Sequence, residues 1–236
     1  MEFALIAGLK SFVSAPRAQR YRNAGVDDLE AVALYCWNIQ LAEALLPSIA
    51  MLEVCLRNSV HDALTAHAGT EWWFKPALTT ERYGNILELV GRLTKRAGYP
   101  PTVGKVISEI TFGFWPRLFA QSYNSLWWSQ PNPLIRTVLP HHPNIGRDTR
   151  KRLEERLEYV VELRNRAVHH EAIFRGVAAL NRPVLPIETL HEHLIETIGW
   201  ISLDAKRIVV RFDRFDDVFG SLSATIAEID DEFHVS

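Results

Sequence analysis

Apolar residues recur at three- and four-residue spacing along much of the chain, the period of an amphipathic α-helix. "VDDLEAVALYCWNIQLAEALL" (26–46) opens with Asp27 and Asp28, good first-turn residues, and is predicted to stop at Pro47. "PSIAMLEVCLRNSVHDALTAHAG" (47–69) reads as a second helix, with proline in its first turn and Gly69 as its stop. A third helix is predicted over 79–98, closed by Gly98, and a short one over 101–119, broken by Gly113 and Pro116. Prolines and asparagines make 129–146 a loop or elbow. A long helix follows over 147–170, then another over 187–211, with a weaker segment over 220–233. No alternating strand pattern persists, so the expectation is an all-α fold, a helical bundle with short connections.

Composition agrees with a packed domain: 47% of residues are apolar and 23% charged. The apolar runs are interrupted by Glu, Arg or Asn, so no membrane-spanning helix is expected, and "MEFALIAGLKSF" has neither the basic start nor the cleavage site of a signal peptide. Cys36 and Cys55 lie in helical apolar patterns without zinc-ligand spacing, which suits reduced thiols in a cytoplasmic protein. Charge is uneven. Residues 212–236 hold seven acids against Arg214, so this acidic segment is at −6, and the formal net charge of −2 leaves the remainder at +4.

One stretch carries candidate chemistry. In "YVVELRNRAVHHEAIF" (159–174), Arg164, Asn165, Arg166, His169 and His170 interrupt a stripe of Val160, Val161, Leu163, Ala167, Val168 and Ile173. On a helix, Asn165 and His169 share a face, as do Arg166 and His170. Arginine suits a phosphate clamp, and histidine exchanges a proton near neutral pH. Together they suffice for metal-free RNA cleavage: histidine moves the proton of the ribose 2′-hydroxyl or of the leaving 5′-oxygen, and arginine stabilises the charge on phosphorus. DNA lacks that hydroxyl, so the chemistry selects RNA. The same residues also suit a structural or solvated helix face.

Arg164-Asn165-x-x-x-His169 resembles the R-x4-6-H motif of HEPN domains. "MLEVCLRNSVHDAL" (51–64), "EWWF" (71–74) and "SEITFGFWPRLF" (108–119) look like signatures of Abi-like proteins associated with bacterial abortive infection, and occur in the family's order over roughly residues 27–180. The resemblance implies a HEPN-like helical domain over 1–211, with 212–236 a short helix or tail of the same domain. It implies a homodimer in which two motif helices build one composite ribonuclease site from Arg164, Asn165 and His169. It further implies a toxin of an abortive-infection or toxin–antitoxin anti-phage system, restrained by an antitoxin protein or an inhibitory structured RNA, with no cofactor and no membrane partner. Some HEPN domains are instead inactive modules that bind RNA or a partner protein.

Other candidates are secondary. "LRNSVH" places Arg57 and His61 one turn apart, with Glu53–Arg57 spaced for an ion pair; the set supports the site as an accessory or, the preferred reading, holds its helix. Arg166 and His170 are further accessory candidates. His191 and His193 point to different helix faces, which disfavours metal binding. "HHPN" (141–144) is expected to be solvated or to touch RNA. Trp72, Trp73, Trp115, Trp127 and Trp128 can stack on bases, although packing is the commoner use. Basic residues gather at 82–105 (Arg82, Arg92, Lys95, Arg96, Lys105) and 147–156 (Arg147, Arg150, Lys151, Arg152, Arg156), each able to track RNA or face water. No glycine-rich phosphate loop, GxSxG or carboxylate cluster is present.

Overall fold

The computed structural model describes residues 14–22, 27–74, 86–129, 134–146 and 148–234. Among these the regular structure is helical apart from one small hairpin. The α-helices are α1 (Ala15–Arg22), α2 (Asp28–Ala68), α3 (Ile86–Ala97), α4 (Val103–Glu109), α5 (Phe114–Arg117), α6 (Leu134–Val138), α7 (Thr149–Val168), α8 (Ile187–Ile201), α9 (Leu203–Phe212), α10 (Phe215–Phe219) and α11 (Leu222–His234). Strands β1 (Val177–Ala178) and β2 (Val184–Leu185) pair antiparallel between α7 and α8. The all-α expectation holds.

Several boundaries differ from the sequence pattern. The two helices expected on either side of Pro47 are one 41-residue helix, α2, with the proline inside it. Proline withholds one backbone donor and costs about 3 kcal/mol in a helix interior. Burial outweighs that here, because Leu41, Leu45, Ile49, Leu52 and Leu56 are all buried on both sides of the proline. Contrary to expectation, the fusion creates an 18-residue window of mean hydropathy 1.6, long and apolar enough for a bilayer; 44% of it is buried within the protein. The helix expected over 187–211 breaks at Ser202, whose Oγ accepts the Ala205 N–H (3.2 Å) and starts α9 as an N-cap. The elbow contains α6, whose Leu134, Ile135 and Val138 are buried. Helix α1 carries no strong pattern and was not foreseen. The helix expected over 79–98 is seen as α3; residues 79–85 lie outside the described residues.

The chain divides into two compact units, each built from discontinuous segments: one from residues 1–49, 162–194 and 208–236, the other from 50–161 and 195–207. The acidic segment 212–236 belongs to the first, where it forms α10 and α11. In that unit Tyr21 is fully buried, edge-on to Tyr35 (5.4 Å) and stacked on Phe174 (5.6 Å). Trp37 donates its indole N–H to the Val218 carbonyl (2.7 Å), tying α2 to the C-terminal helices. His191 Nε2 lies 2.6 Å from Asp213 Oδ2, with its ring stacked on Phe215.

The second unit centres on aromatic packing. Trp72 meets Trp73, Phe114 and Trp115 with centroids 5.5–6.3 Å apart. The two tryptophans of "EWWF" and the aromatic residues of "FGFW" are therefore core, while Phe74 is exposed. Trp72, Trp73, Trp115, Trp127 and Trp128 are all buried, so none presents a stacking face to RNA. Cys36 and Cys55 are free half-buried thiols, and burial pushes both thiol pKa values up, away from reactivity.

Candidate functional site at the end of α7

Helix α7 buries Leu163 and Ala167 and stops at Val168, so His169 and His170 lie in the turn beyond it and not on the helix, as had been expected. The His169 N–H still reaches Asn165 O (3.0 Å), the His170 N–H turns back to Ala167 O (3.2 Å), and the Glu171 N–H reaches Arg166 O (2.8 Å). These bonds form a Schellman motif that satisfies the terminal carbonyls. Its left-handed position, usually glycine, is His170, at φ 55°. An L-residue there costs about 1–2 kcal/mol, although histidine is among the side chains that tolerate it better. Val168, expected in the apolar stripe, is 42% exposed because it sits on the outer side of this last turn.

Three side chains from elsewhere fix the turn. Asn38 of α2, 1% exposed, donates from Nδ2 to Glu171 O (3.1 Å), and its Oδ1 accepts the N–H groups of Ile173 (2.7 Å) and Phe174 (3.3 Å). Arg17 of α1 donates from Nη2 to the His169 carbonyl (3.1 Å). Arg20 of α1 lies 3.6 Å from the Glu171 carboxylate. A Cβ on Gly176 would lie 2.0 Å from Leu185 O, so only glycine lets the chain leave this turn into the β1–β2 hairpin.

The candidate side chains differ in availability. Arg164 is half-buried, with Nη1 at a long 3.4 Å from Asn165 Oδ1. No carboxylate pairs with it among the described residues. Arg166 is engaged by Glu162 (3.1 Å), which partly neutralises it. The rings of His169 and His170 are exposed and make no hydrogen bond among the described residues. An exposed imidazole can exchange a proton with a bound phosphodiester, and an arginine without an acid partner among the described residues can hold its charge.

The second Arg–His set lies in the other unit and is built differently. His61 accepts the Trp72 indole N–H at Nδ1 (3.0 Å), and its ring packs on Trp73 at 6.4 Å. Burial lowers its pKa below the usual histidine value, with Asp62 opposing. The expected Glu53–Arg57 ion pair does not form; Arg57 Nε donates to Asn58 Oδ1 (3.3 Å) instead. Both side chains are partly solvated, and such an i,i+4 pair gains only a few tenths of a kcal/mol over hydration.

The remaining candidates are mostly engaged. His142 packs on Trp200 (4.5 Å), beneath whose ring system Arg156 also stacks (4.3 Å) while pairing with Glu196 (2.7 Å). Arg150 holds Glu154 (2.8 Å), Gln121 and the Phe119 carbonyl, and Lys105 pairs with Glu109. Arg92, Lys95 and Arg96 are exposed; Arg82 and Arg147 lie outside the described residues. Among the described residues no three His, Cys, Asp or Glu side chains gather as metal ligands. An open cleft of ≈ 130 Å³ between Ile86, Leu89, Arg92 and Ile110 is small for a ligand pocket. Compared with known protein families, curated proteins and solved structures, the chain matches none.

Proposed function

We propose that the protein is a HEPN-type, Abi-like endoribonuclease that cuts RNA through the ribose 2′-hydroxyl, acting as a cytoplasmic toxin in anti-phage defence. The observation that carries this reading is the end of α7. There the His169 ring is exposed and makes no hydrogen bond among the described residues, Arg164 and Asn165 precede it in the last turns of the helix, Arg164 has no carboxylate partner among the described residues, and three distant side chains hold the turn that carries His169. In the reaction, His169 takes the 2′-hydroxyl proton and the 2′-oxygen attacks phosphorus. The bond to the 5′-oxygen breaks, and a protonated histidine supplies that oxygen with its proton. Arg164 stabilises the charge on the phosphoryl oxygens. In a homodimer the acid is the second copy's histidine, which is why the reading includes a two-fold pairing of the motif. An antitoxin protein or a structured RNA would restrain such an enzyme.

The test is cleavage of a structured RNA by the purified protein in EDTA, with analysis of the new ends. Wild type should leave 2′,3′-cyclic phosphate and 5′-hydroxyl termini. His169→Ala and Arg164→Ala should each lose about 10²-fold or more in rate at unchanged melting temperature. Mixing the two variants should restore part of the activity if the site is shared between copies. RNA binding without cleavage by wild type would leave an inactive binding module as the answer.

A further inference from the structure

The turn that bears His169 is met by a cation that no motif announces. Arg17, 152 residues away in sequence, reaches it through a hydrogen bond to the His169 carbonyl (3.1 Å), the one its side chain makes among the described residues. A guanidinium has five N–H donors, so among the described residues most of its donor set is left for another acceptor. No carboxylate pairs with Arg17 among the described residues. Its neighbour Arg20 is 59% exposed and only loosely paired with Glu171 at 3.6 Å. Arg175, exposed and also without an acid partner among the described residues, lies over the Phe174 ring at 5.4 Å, and that ring stacks on Tyr21 of α1. Arg17, Arg20 and Arg175 thus gather on the elements that build this turn, and among the described residues Glu171 is the carboxylate that pairs with any of them. A stable fold has no need of so many like charges on one turn, and a polyanion would neutralise them.

We propose that Arg17 forms a second phosphate position next to His169, so that the site favours a polynucleotide with at least two consecutive phosphates over a dinucleotide or a mononucleotide. The proposal deepens the ribonuclease reading and rests on it for the identity of the polymer. Arg17 holds the phosphate beside the scissile one; it binds substrate and moves no proton.

The experiment measures binding of a single-stranded 12-nucleotide RNA in a His169→Ala background, so that it does not depend on cleavage. Arg17→Gln is the informative variant, because it removes the charge and keeps a polar amide on the same stem. Arg17→Lys keeps the charge. Arg17→Gln should retain the melting temperature but bind about 3- to 10-fold more weakly. Its plot of log affinity against log salt should be shallower by about 0.7, the contribution of one phosphate contact on a single strand. Arg17→Lys should stay within about 2-fold, with the slope kept. In the otherwise wild-type protein, Arg17→Gln should lower kcat/KM for the 12-mer by more than it lowers that for a dinucleotide, which has no second phosphate for Arg17 to hold. An unaltered salt slope in Arg17→Gln, or equal losses on both substrates, overturns the proposal and leaves Arg17 as a cap of the turn. If wild type cuts no RNA but the slope changes as expected, the ribonuclease reading fails while the phosphate position stands.

Discussion

Replacing Asn38 with alanine tests whether the candidate site is held from a distance. Asn38 makes three hydrogen bonds to the chain just beyond His169 and His170. The shortest, 2.7 Å from the Ile173 N–H, lies in a fully buried environment, so alanine leaves that donor with neither protein nor water. An unsatisfied buried donor costs about 1–3 kcal/mol. The bonds to Phe174 N and Glu171 O are half-buried and longer, at 3.3 and 3.1 Å. Water can replace part of each, and their loss adds about 0.5 kcal/mol apiece. The expected total is roughly 2–4 kcal/mol, or about 6–12 °C in melting temperature for a chain of this size near the middle of that range. Asn38→Asp should be no milder, because it buries a charge with one carboxylate oxygen against the Glu171 carbonyl.

The assay pairs thermal denaturation with hydrogen exchange at the Ile173 amide. If Asn38 anchors the turn, that amide loses protection by more than the global destabilisation explains, since the opening is local. RNA cleavage should fall as well, because His169 is carried by the released segment. A melting temperature within about 2 °C of wild type, with the Ile173 amide still protected, would refute the reasoning. It would mean that the turn is held by its own Schellman bonds and that Asn38 is dispensable.

Two further outcomes follow from the second unit. His61 and His142 both have pKa values lowered by burial, with Arg156 and Arg152 adding to the effect at His142. As pH falls below the ordinary histidine value of 6.5, the unfolded chain takes up protons first, so the stability present above that pH is lost as acidification approaches the depressed folded values. Melting temperature should therefore drop between pH 7.5 and 5.5, and His61→Gln, which can still accept the Trp72 N–H, should flatten the drop; equal slopes for both proteins would count against a neutral His61. Arg57→Ala should change stability by no more than about 0.5 kcal/mol in urea denaturation, since Arg57 is partly solvated and has no ion pair among the described residues; a loss above about 2 kcal/mol would show a buried partner.

How far the fold was legible depended on whether the controlling interaction was local. The three-to-four periodicity of α2, α7 and α8 names their buried faces correctly, because one stripe of side chains suffices to define an amphipathic helix. Their ends were read less well. Pro47 is a strong local stop, but Leu45, Ile49 and Leu52 on either side of it are buried, and tertiary burial overrode the propensity. Ser202 is a strong local start, and it was passed over inside a continuous apolar pattern even though Asp204 lies two residues beyond it. The hairpin strands are two residues each, too short for alternation to register. The aromatic stretches were visible as aromatic, and the fully buried Trp72 and Trp115 resolve them as core.

The candidate site was legible in composition but not in shape. Arg164, Asn165 and His169 stand out because polar residues interrupt an apolar stripe, a feature of local sequence. That the helix ends before His169 was hidden, because the usual signal for a left-handed terminus is glycine and the residue there is His170. Arg17 left no trace at all: an arginine in a short polar segment is expected to be solvated, and its bond spans 152 residues. Asn38 did leave one. It sits in "CWNIQL", on the face of α2 that also carries Leu34, Leu41 and Leu45. A polar amide at a core position of a helix must find partners, and intrahelical bonding already occupies its own backbone. Such a residue predicts a segment without regular structure packed against it, because only there are backbone N–H and C=O groups unclaimed. The loop that follows His169 and His170 is that segment, so the asparagine in α2 and the histidines after α7 belong to one structural unit whose logic becomes visible only when the two are considered together.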